Sequence, residues 1–480
     1  MLGLGIFKTF FGWGLSEYFP PVIYGLAFLV AFLALFYRSE IGILFIAFFL
    51  PIYTLLNKAI KLDLPLANQI IDILLIGMLL GWLFQNRKKQ EPSIGQSPLL
   101  LPIVIFMSYT LFSFFIGSYN LGEDIFPGFD NKRLADLKNY MIMPLLYLIS
   151  YYNLRDRKWK YALFILLFVS FLAMDFKFHQ TFRWVQHTRY THASRIEGTL
   201  GFLNANSVGA LQTIYTLFII GIFLVDRHFW RRVAYLILII GGIYSLMYSF
   251  SRGAYVGFLV GLIFIGFIRT RKLLILLVVF LFVWKLIVPL SVMERVTGTI
   301  AEHSGGRSVV SVGGVELETA GRIKVWERAL NYFYQNPIIG TGYGTYQILA
   351  WWDTHNVYLK HLVEQGLIGL FIYLGLYFLA LRSGWRLYRR ADEELVKALG
   401  FGFLCAVVGS MVVNFFGDRW TYLQLGGLYW IFWALVDQEN SKLKLKLKKG
   451  PNKNNIGGSR VEGGGFASNL KRNDPLTKKL

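Results

Sequence analysis

One histidine has the type and the surroundings that proton transfer requires. His355 lies in Asp353-Thr-His-Asn-Val-Tyr358, where Asp353 is the predicted N-cap of a helix and His355 falls in its first turn. The positive end of a helix disfavours a protonated imidazole, so we expect a neutral His355 that can act as a general base. On spacing alone a structural histidine is an equally good interpretation, and we interpret His361, deeper in the helix, as structural.

Arginines at the ends of apolar segments could hold the anion on which such a base acts. Arg195 and Glu197 precede glycines that let the backbone approach a ligand, and Asn204 or Asn206 can cap the helix that follows. Planar guanidinium forks match phosphate oxygens in pairs. A simple ion pair between Arg195 and Glu197 at a helix entry is the alternative interpretation.

Arg252 stands between two apolar segments with almost no loop between them. A guanidinium at that depth is costly unless it is paired or faces a polar cavity, which indicates a second anion ligand. Snorkelling of the side chain to the membrane interface is the alternative. The following stripe Gly253, Gly257 and Gly261 is typical of close helix–helix contact, and we interpret it as structural.

Metal ligands have no recognisable pattern in the predicted outward loops. These loops contain no Asp-x-Asp pair and no His/Cys ligand spacing, and His187 and His192, five residues apart, are a weak signal. We therefore predict a site without metal or cofactor, in which arginines balance the charge of a bound phosphate.

The elements that must position these residues are membrane helices. The chain has 480 residues, of which 55% are hydrophobic and 17% aromatic, and its apolar runs alternate with short charged loops. This pattern predicts an all-α polytopic membrane protein with about 12–13 transmembrane helices. We predict spans near 22–37, 41–56, 69–84, 98–117, 137–152, 158–175, 205–225, 231–250, 252–268, 272–290, 366–384, 396–415 and 420–437.

The net charge of +21 resides in the short loops and the C-terminal tail, which argues against nucleic acid as a partner and for membrane lipids. Five basic segments fall on alternate loops, so all five lie on the same side of the membrane as the basic tail, and the positive-inside rule makes that side cytoplasmic. The remaining loops face the periplasm, including one large loop at 291–365. The basic stretch 177–195, with four Lys/Arg and no acid, breaks the rule and suggests a bound anion.

The predicted organisation has five parts. They are an N-terminal interfacial segment at 1–20, transmembrane helices 1–10 at 21–290, the periplasmic loop with amphipathic helices at 291–365, the last transmembrane helices at 366–437, and a basic disordered cytoplasmic tail at 438–480. The chain shows no internal repeat, and transporters built from two related halves usually do. This asymmetry favours an enzyme at the outer face of the membrane.

Several of these residues together resemble a known family. The run Gly340-Thr-Gly-Tyr-Gly344, followed by Thr354-His-Asn-Val-Tyr-Leu-Lys-His-Leu-Val-Glu-Gln-Gly-Leu-Ile-Gly369, is similar to the signature of the O-antigen ligase and polymerase superfamily. So are Ser251-Arg-Gly-Ala254, the pair Gly321-Arg322 with Trp326, and Arg195 with Gly198 and Asn204-Ala-Asn206. The resemblance covers roughly 190–385.

The resemblance implies a metal-independent glycosyltransferase of the bacterial inner membrane that uses an undecaprenyl-diphosphate-linked glycan. It implies Arg195 and Arg252 at the diphosphate and His355 as the catalytic base, and we add supporting roles for Arg322, Glu197, Asn356 and Tyr358. The acceptor stays open: a lipid A core for a ligase, a growing chain for a polymerase, or a protein hydroxyl for an O-oligosaccharyltransferase. A transporter of lipid-linked glycan is the alternative from another class.

Overall fold

The structure, a computed structural model, describes residues 19–52, 70–89, 97–128, 130–184, 189–190, 195, 204–297, 309–312, 315–318 and 322–449. It consists of helices and one short β-hairpin. The helices are α1 Phe19–Phe36, α2 Ser39–Phe49 with a 3₁₀ turn at Leu50–Ile52, α3 Ile70–Lys89, α4 Leu100–Leu121, α5 Lys132–Asn153, α6 Arg157–Trp184, α7 Ala205–Val225, α8 Phe229–Tyr248, α9 Arg252–Ile268, α10 Arg271–Ile287, α11 Leu290–Thr297, α12 Arg322–Gln335, α13 Tyr346–Ala350, α14 Val357–Arg390, α15 Glu394–Phe415 and α16 Leu423–Lys449.

The predicted all-α multi-pass architecture is confirmed, with one small addition. Within the large loop, strands β1 (Val309–Val312) and β2 (Val315–Glu318) pair antiparallel, with Val312 opposite Val315. The predicted interfacial segment at 1–20 lies almost wholly outside the described residues, as does most of the predicted tail. The last helix runs to Lys449, past residue 438, where the tail was predicted to begin.

Each of the thirteen predicted spans coincides with a helix, but fewer helices are long and apolar enough to cross a membrane. Six of those described pass by length and composition, and a bent pair, α10 with α11 at 114°, makes a seventh. Four more are apolar helices of 10–17 residues, within α1, α2, α3 and α9. The predicted count of 12–13 therefore exceeds the six or seven helices that pass this test.

Helix α7 lies at the centre of the fold, because small residues let its neighbours approach. A Cβ added to Gly221 would lie 2.7 Å from the Cα of Gly402 in α15, so the two backbones touch. The predicted packing role of the α9 glycines is confirmed. A Cβ at Gly253 would lie 2.5 Å from the Phe416 side chain, and one at Gly257 would lie 2.7 Å from that of Val413.

The large loop folds back onto the helix ends through a glycine turn. Gly340, Gly342 and Gly344 all have positive φ (75°, 105° and 73°), which side chains with a Cβ rarely adopt. The turn fits between α4 and α14, where the Thr341 and Gly342 amides donate to the carbonyls of Val363 (2.9 Å) and Glu364 (2.8 Å). It thereby fixes the segment that carries His355 against the transmembrane helices.

Helix α14 is broken at Gly366, which has φ 65° and ψ −165°. The amide of Leu367, just after the break, donates to the Pro337 carbonyl at 2.9 Å, so the loop supplies the hydrogen bond that the helix lacks there. This break falls at the residue where the hydropathy pattern places the start of the span at 366–384. The turns before the break belong to the site, and those after it to the helix bundle.

Candidate functional site

Four arginines from separate segments converge at one end of the helix bundle. The most buried is Arg419, 8% exposed, in the turn between α15 and α16. Its Nη1 donates to the Ser207 hydroxyl at 3.1 Å, in the first turn of α7. Burial lowers the pKa of the Arg419 guanidinium, and the positive charge of Arg195 lowers it further, against the opposing effects of Tyr422, Asp418 and Asp353. Arg195 and Arg419 therefore lie close enough to repel each other.

Arg195 is oriented by the start of α7. Its Nη2 donates to the Asn206 side-chain oxygen at 2.6 Å. Of the two predicted caps, Asn204 is the N-cap, and its side chain accepts from the Ser207 amide at 3.0 Å. Glu197, the predicted partner of Arg195, lies outside the described residues. The helix start thus combines free amides with a fixed guanidinium, an arrangement suited to an anion.

Arg322 and Arg295 complete the group. Burial lowers the pKa of Arg322, the first residue of α12, and the charges of Arg419 and Arg295 lower it further. Arg295, in α11, donates through Nε to the Phe250 carbonyl at 3.3 Å, and its guanidinium lies 4.8 Å from the centre of the Tyr190 ring. Partly buried like charges are costly unless a counter-ion neutralises them. The cluster Arg195, Arg295, Arg322 and Arg419 is therefore suited to a multiply charged anion.

Arg252 begins α9 and is half-buried. The glycines place its helix start against α7, whose first turn contacts Arg195, and against the turn that carries Arg419. A Cβ at Gly253 would lie 2.5 Å from Phe416, and one at Gly209 of α7 would lie 2.8 Å from the Ser251 side chain. The structure therefore puts Arg252 at the same end of the bundle as Arg195 and Arg419.

The prediction that Asp353 caps the helix is wrong. The N-cap is Asn356, whose extended backbone (φ −154°, ψ 114°) lets its side chain accept from the Leu359 amide at 3.1 Å. His355 precedes the cap and has a left-handed backbone, φ 50°, so it does not lie in the first helical turn. The expectation of a neutral imidazole from the helix dipole therefore loses its basis.

Asp353 instead pairs with His355. Its Oδ2 lies 3.4 Å from the His355 Nδ1. Burial alone would raise the pKa of Asp353, but hydrogen bonding from His355 and the charge of Lys360 outweigh it and hold this pKa below its usual range. An ionised carboxylate at Nδ1 fixes the ring and stabilises the imidazolium that forms on proton uptake, which leaves Nε2 as the accepting atom.

His355 borders a pocket of about 260 Å³ with a strongly basic wall. The described residues that line it are Arg322, Lys324, Val325, Arg328, Tyr346, Trp352 and His355. Helix α12, which supplies the basic wall, is held to the His355 loop by the Trp326 indole, whose Nε1 donates to the Thr354 carbonyl at 2.9 Å. The pocket places a proton acceptor, half exposed, beside three cations.

The other residues of the His-Asn-x-Tyr motif contact protein groups. Asn356 is the cap, and the Tyr358 hydroxyl donates to the Met411 carbonyl at 2.8 Å, which ties α14 to α15. His361 fits the structural interpretation, since its Nε2 lies 3.3 Å from the Tyr140 hydroxyl and its ring stacks 4.3 Å from that of Tyr373. Asn356 and Tyr358 therefore fix the start of α14, directly after His355.

Sequence reasoning missed four residues of this candidate site. Lys360 and Asp418 form a largely buried ion pair of 2.7 Å that joins α14 to the turn carrying Arg419. Arg419 offered the same signal as Arg252, an arginine in a tight outward turn between apolar segments, but Arg295 offered none. Among the described residues, no group of three or more His, Cys, Asp and Glu side chains could hold a metal ion.

Comparison with known proteins gives one family match. Residues 236–374 match the family model described as O-antigen ligase, and no curated protein matches the chain. The match runs from within α8 to beyond the break in α14, and it includes Arg252, Arg295, Arg322 and His355. The chain is a multi-pass membrane protein that carries a domain of the O-antigen ligase superfamily over residues 236–374.

Proposed function

We propose that the chain transfers a glycan from an undecaprenyl-diphosphate-linked donor to an acceptor hydroxyl at the periplasmic face of the inner membrane, without a metal. The observation that carries this proposal is the pair Asp353–His355 at the rim of a pocket lined by Arg322, Lys324 and Arg328. A base beside a cationic anion site is what such a transfer needs.

The reaction is a single displacement. The acceptor hydroxyl oxygen attacks C1 of the donor sugar while its proton passes to Nε2 of His355. The bond between C1 and the diphosphate oxygen breaks, and its electron pair stays on the diphosphate. Arg252 and the arginine cluster, which includes Arg195, stabilise the negative charge that grows on the diphosphate. A single displacement inverts the anomeric centre.

A polymerase and a protein O-oligosaccharyltransferase would share this chemistry and differ only in the acceptor. To test this, the purified chain in lipid nanodiscs is incubated with an undecaprenyl-diphosphate-linked oligosaccharide extracted from the host cell. Lipid A core, the lipid-linked oligosaccharide itself and a Ser/Thr peptide serve as parallel acceptors. Transfer to one of them identifies the acceptor. Release of intact donor on the opposite side of sealed vesicles, with no glycan transfer, would instead indicate the transporter.

Transfer should survive removal of metal ions. Arginine side chains, rather than a bound cation, are expected to neutralise the leaving diphosphate, so dialysis against EDTA should leave the rate unchanged. The rate is measured before dialysis, after dialysis, and after addition of Mg²⁺ or Mn²⁺. A loss that either metal restores would contradict the metal-independent mechanism.

The site should face the periplasm. Asn336, in the exposed turn after α12, and Asp392, between α14 and α15, lie on opposite sides in the topology that the basic loops predict. Asn336→Cys should therefore react with a membrane-impermeant maleimide in cells with an opened outer membrane, and Asp392→Cys should react only after lysis. The single native cysteine, Cys405, is buried, and labelling of the wild type measures the background reaction of this residue. The reverse labelling pattern would place the site in the cytoplasm.

A further inference from the structure

A second pocket, of about 400 Å³, adjoins the basic pocket across the loop that carries His355. Its lining includes Glu123, Asn131, Asp136, Gln347 and Trp351, together with Lys132 and Arg133. Among the described lining residues, two acids balance two cations here, whereas the His355 pocket has three cations and no acid. Phosphate groups should therefore favour the first pocket, and an uncharged ligand rich in hydroxyls the second.

Trp351 is the unusual residue of this pocket. It follows the last residue of α13 with φ 61°, a left-handed position that glycine usually occupies, and its side chain is 87% exposed. A tryptophan here gains little from burial and strains the backbone. Strain that the fold does not need is concentrated at binding sites, where an exposed ring can stack on a ligand.

The polar groups of the pocket divide into those already occupied and those available. Arg133 is buried, and it donates to Glu123 at 2.6 Å and to the Tyr343 carbonyl at 2.9 Å, so its charge is already neutralised. Within the part of the chain that the structure describes, the carboxylate of Asp136 and the amide of Gln347 have no hydrogen bond to another residue. An indole face flanked by an acceptor and an amide is the chemistry that recognises a pyranose ring.

The second pocket also lies within electrostatic range of the base. The charges of Lys360 and Asp418 act on Asp136, and Lys360 acts in turn on Asp353, which holds His355. Trp351 lines the second pocket and Trp352 the first, so the two pockets lie on either side of one loop. A ligand could occupy both.

We infer that this second pocket binds a pyranose ring of the glycan substrate, stacked on Trp351 and hydrogen-bonded to Asp136 and Gln347. The inference rests on the proposed function for the identity of the glycan, but not for the binding itself. The same ring could belong to the acceptor or to the donor, and the experiment must separate these two sources.

The test uses the full chain in nanodiscs and an oligosaccharide released by mild acid from the lipid-linked glycan of the host cell. This probe carries no diphosphate and so does not need the arginines. Binding is measured by saturation-transfer NMR and by titration calorimetry. Trp351→Gly should weaken it by roughly two- to tenfold, the value of one stacked aromatic contact, and Gln347→Ala should weaken it less. Trp351→Phe should keep most of the affinity.

Trp351→Gly separates binding from folding, because glycine suits the left-handed backbone and the lost ring is exposed. Its melting temperature should equal or exceed that of the wild type. Trp230→Ala, which removes an exposed tryptophan at the start of α8, is the matched control and should bind normally. Equal oligosaccharide affinity in wild type and Trp351→Gly, or no binding by the wild type, would overturn the inference.

Steady-state kinetics identify the source of the ring. If it belongs to the acceptor, Trp351→Gly should raise KM for the acceptor and leave KM for the lipid-linked donor unchanged, and the reverse if it belongs to the donor. If the wild type binds the oligosaccharide through Trp351 but transfers no glycan, the sugar-binding pocket is supported and the proposed function is refuted. If the wild type transfers glycan but binds no oligosaccharide, the proposed function is supported and the sugar-binding pocket is refuted.

Discussion

His355→Ala should abolish glycan transfer while leaving donor binding intact. In the proposed mechanism the diphosphate is held by arginines on other segments, and loss of a general base typically lowers a rate by about 10²–10⁴. Transfer is measured with purified protein, and donor binding by retention of the lipid-linked donor in native mass spectrometry. His228→Ala, which removes an exposed histidine before α8, is the matched control and should transfer normally.

Two companion variants sharpen this test. Asp353→Asn keeps the shape of the side chain but removes the charge that fixes the His355 ring. It should therefore lower the transfer rate less than His355→Ala does, and it should shift the pH dependence of that rate. His361→Ala removes a buried ring stacked on Tyr373 and reports on disturbed packing. Normal transfer by His355→Ala would exclude it as the base. Lost donor binding would instead assign the histidine to the diphosphate site, with Glu197 the next candidate base.

The sequence predicted the helices because hydropathy is a local property, and all thirteen predicted spans coincide with helices. It did not predict that α2, within the predicted span 41–56, ends at Phe49, or that α10 and α11 are bent at 114° near the end of the predicted span 272–290. The break at Gly366 was anticipated only as a span boundary. Its cause, a hydrogen bond from the Leu367 amide to Pro337, depends on how the loop folds back.

At the site, local signals identified some residues and misled on others. Arg252 was predicted because an arginine at that depth is costly without a partner, and Arg195 because it precedes glycines that let the backbone approach a ligand. Asp353 and Asn356 are both good caps in isolation, so local preference does not decide between them, and the prediction of Asp353 is wrong. What decides between them is the position of His355 and Lys360, which engage Asp353 and leave Asn356 to cap the helix. The Lys360–Asp418 pair joins residues 58 apart and has no local signal.

Arg252→Lys should be nearly as damaging as Arg252→Ala. A lysine keeps the charge but cannot offer two parallel N–H groups to a phosphate, and the loss of one such contact in the transition state costs roughly 3 kcal/mol, about a hundredfold in rate. Glycan transfer and protein level in the membrane are measured together. Arg269→Lys is the matched control, because Arg269 follows the other end of α9, is exposed, and donates only weakly to the Leu224 carbonyl at 3.4 Å.

The same substitution at Arg419 tests the cluster as a whole. Arg419 is buried beside Arg195 and Arg322, so in the proposed mechanism all three bind one anion. Arg419→Lys should lower transfer by a similar factor and weaken retention of the donor, because the ammonium group cannot bond Ser207 and a diphosphate oxygen in the same geometry. Full activity in Arg252→Lys would mean that Arg252 merely extends to the membrane interface. Full activity in both lysine variants would mean that positive charge alone, without the guanidinium fork, holds the diphosphate.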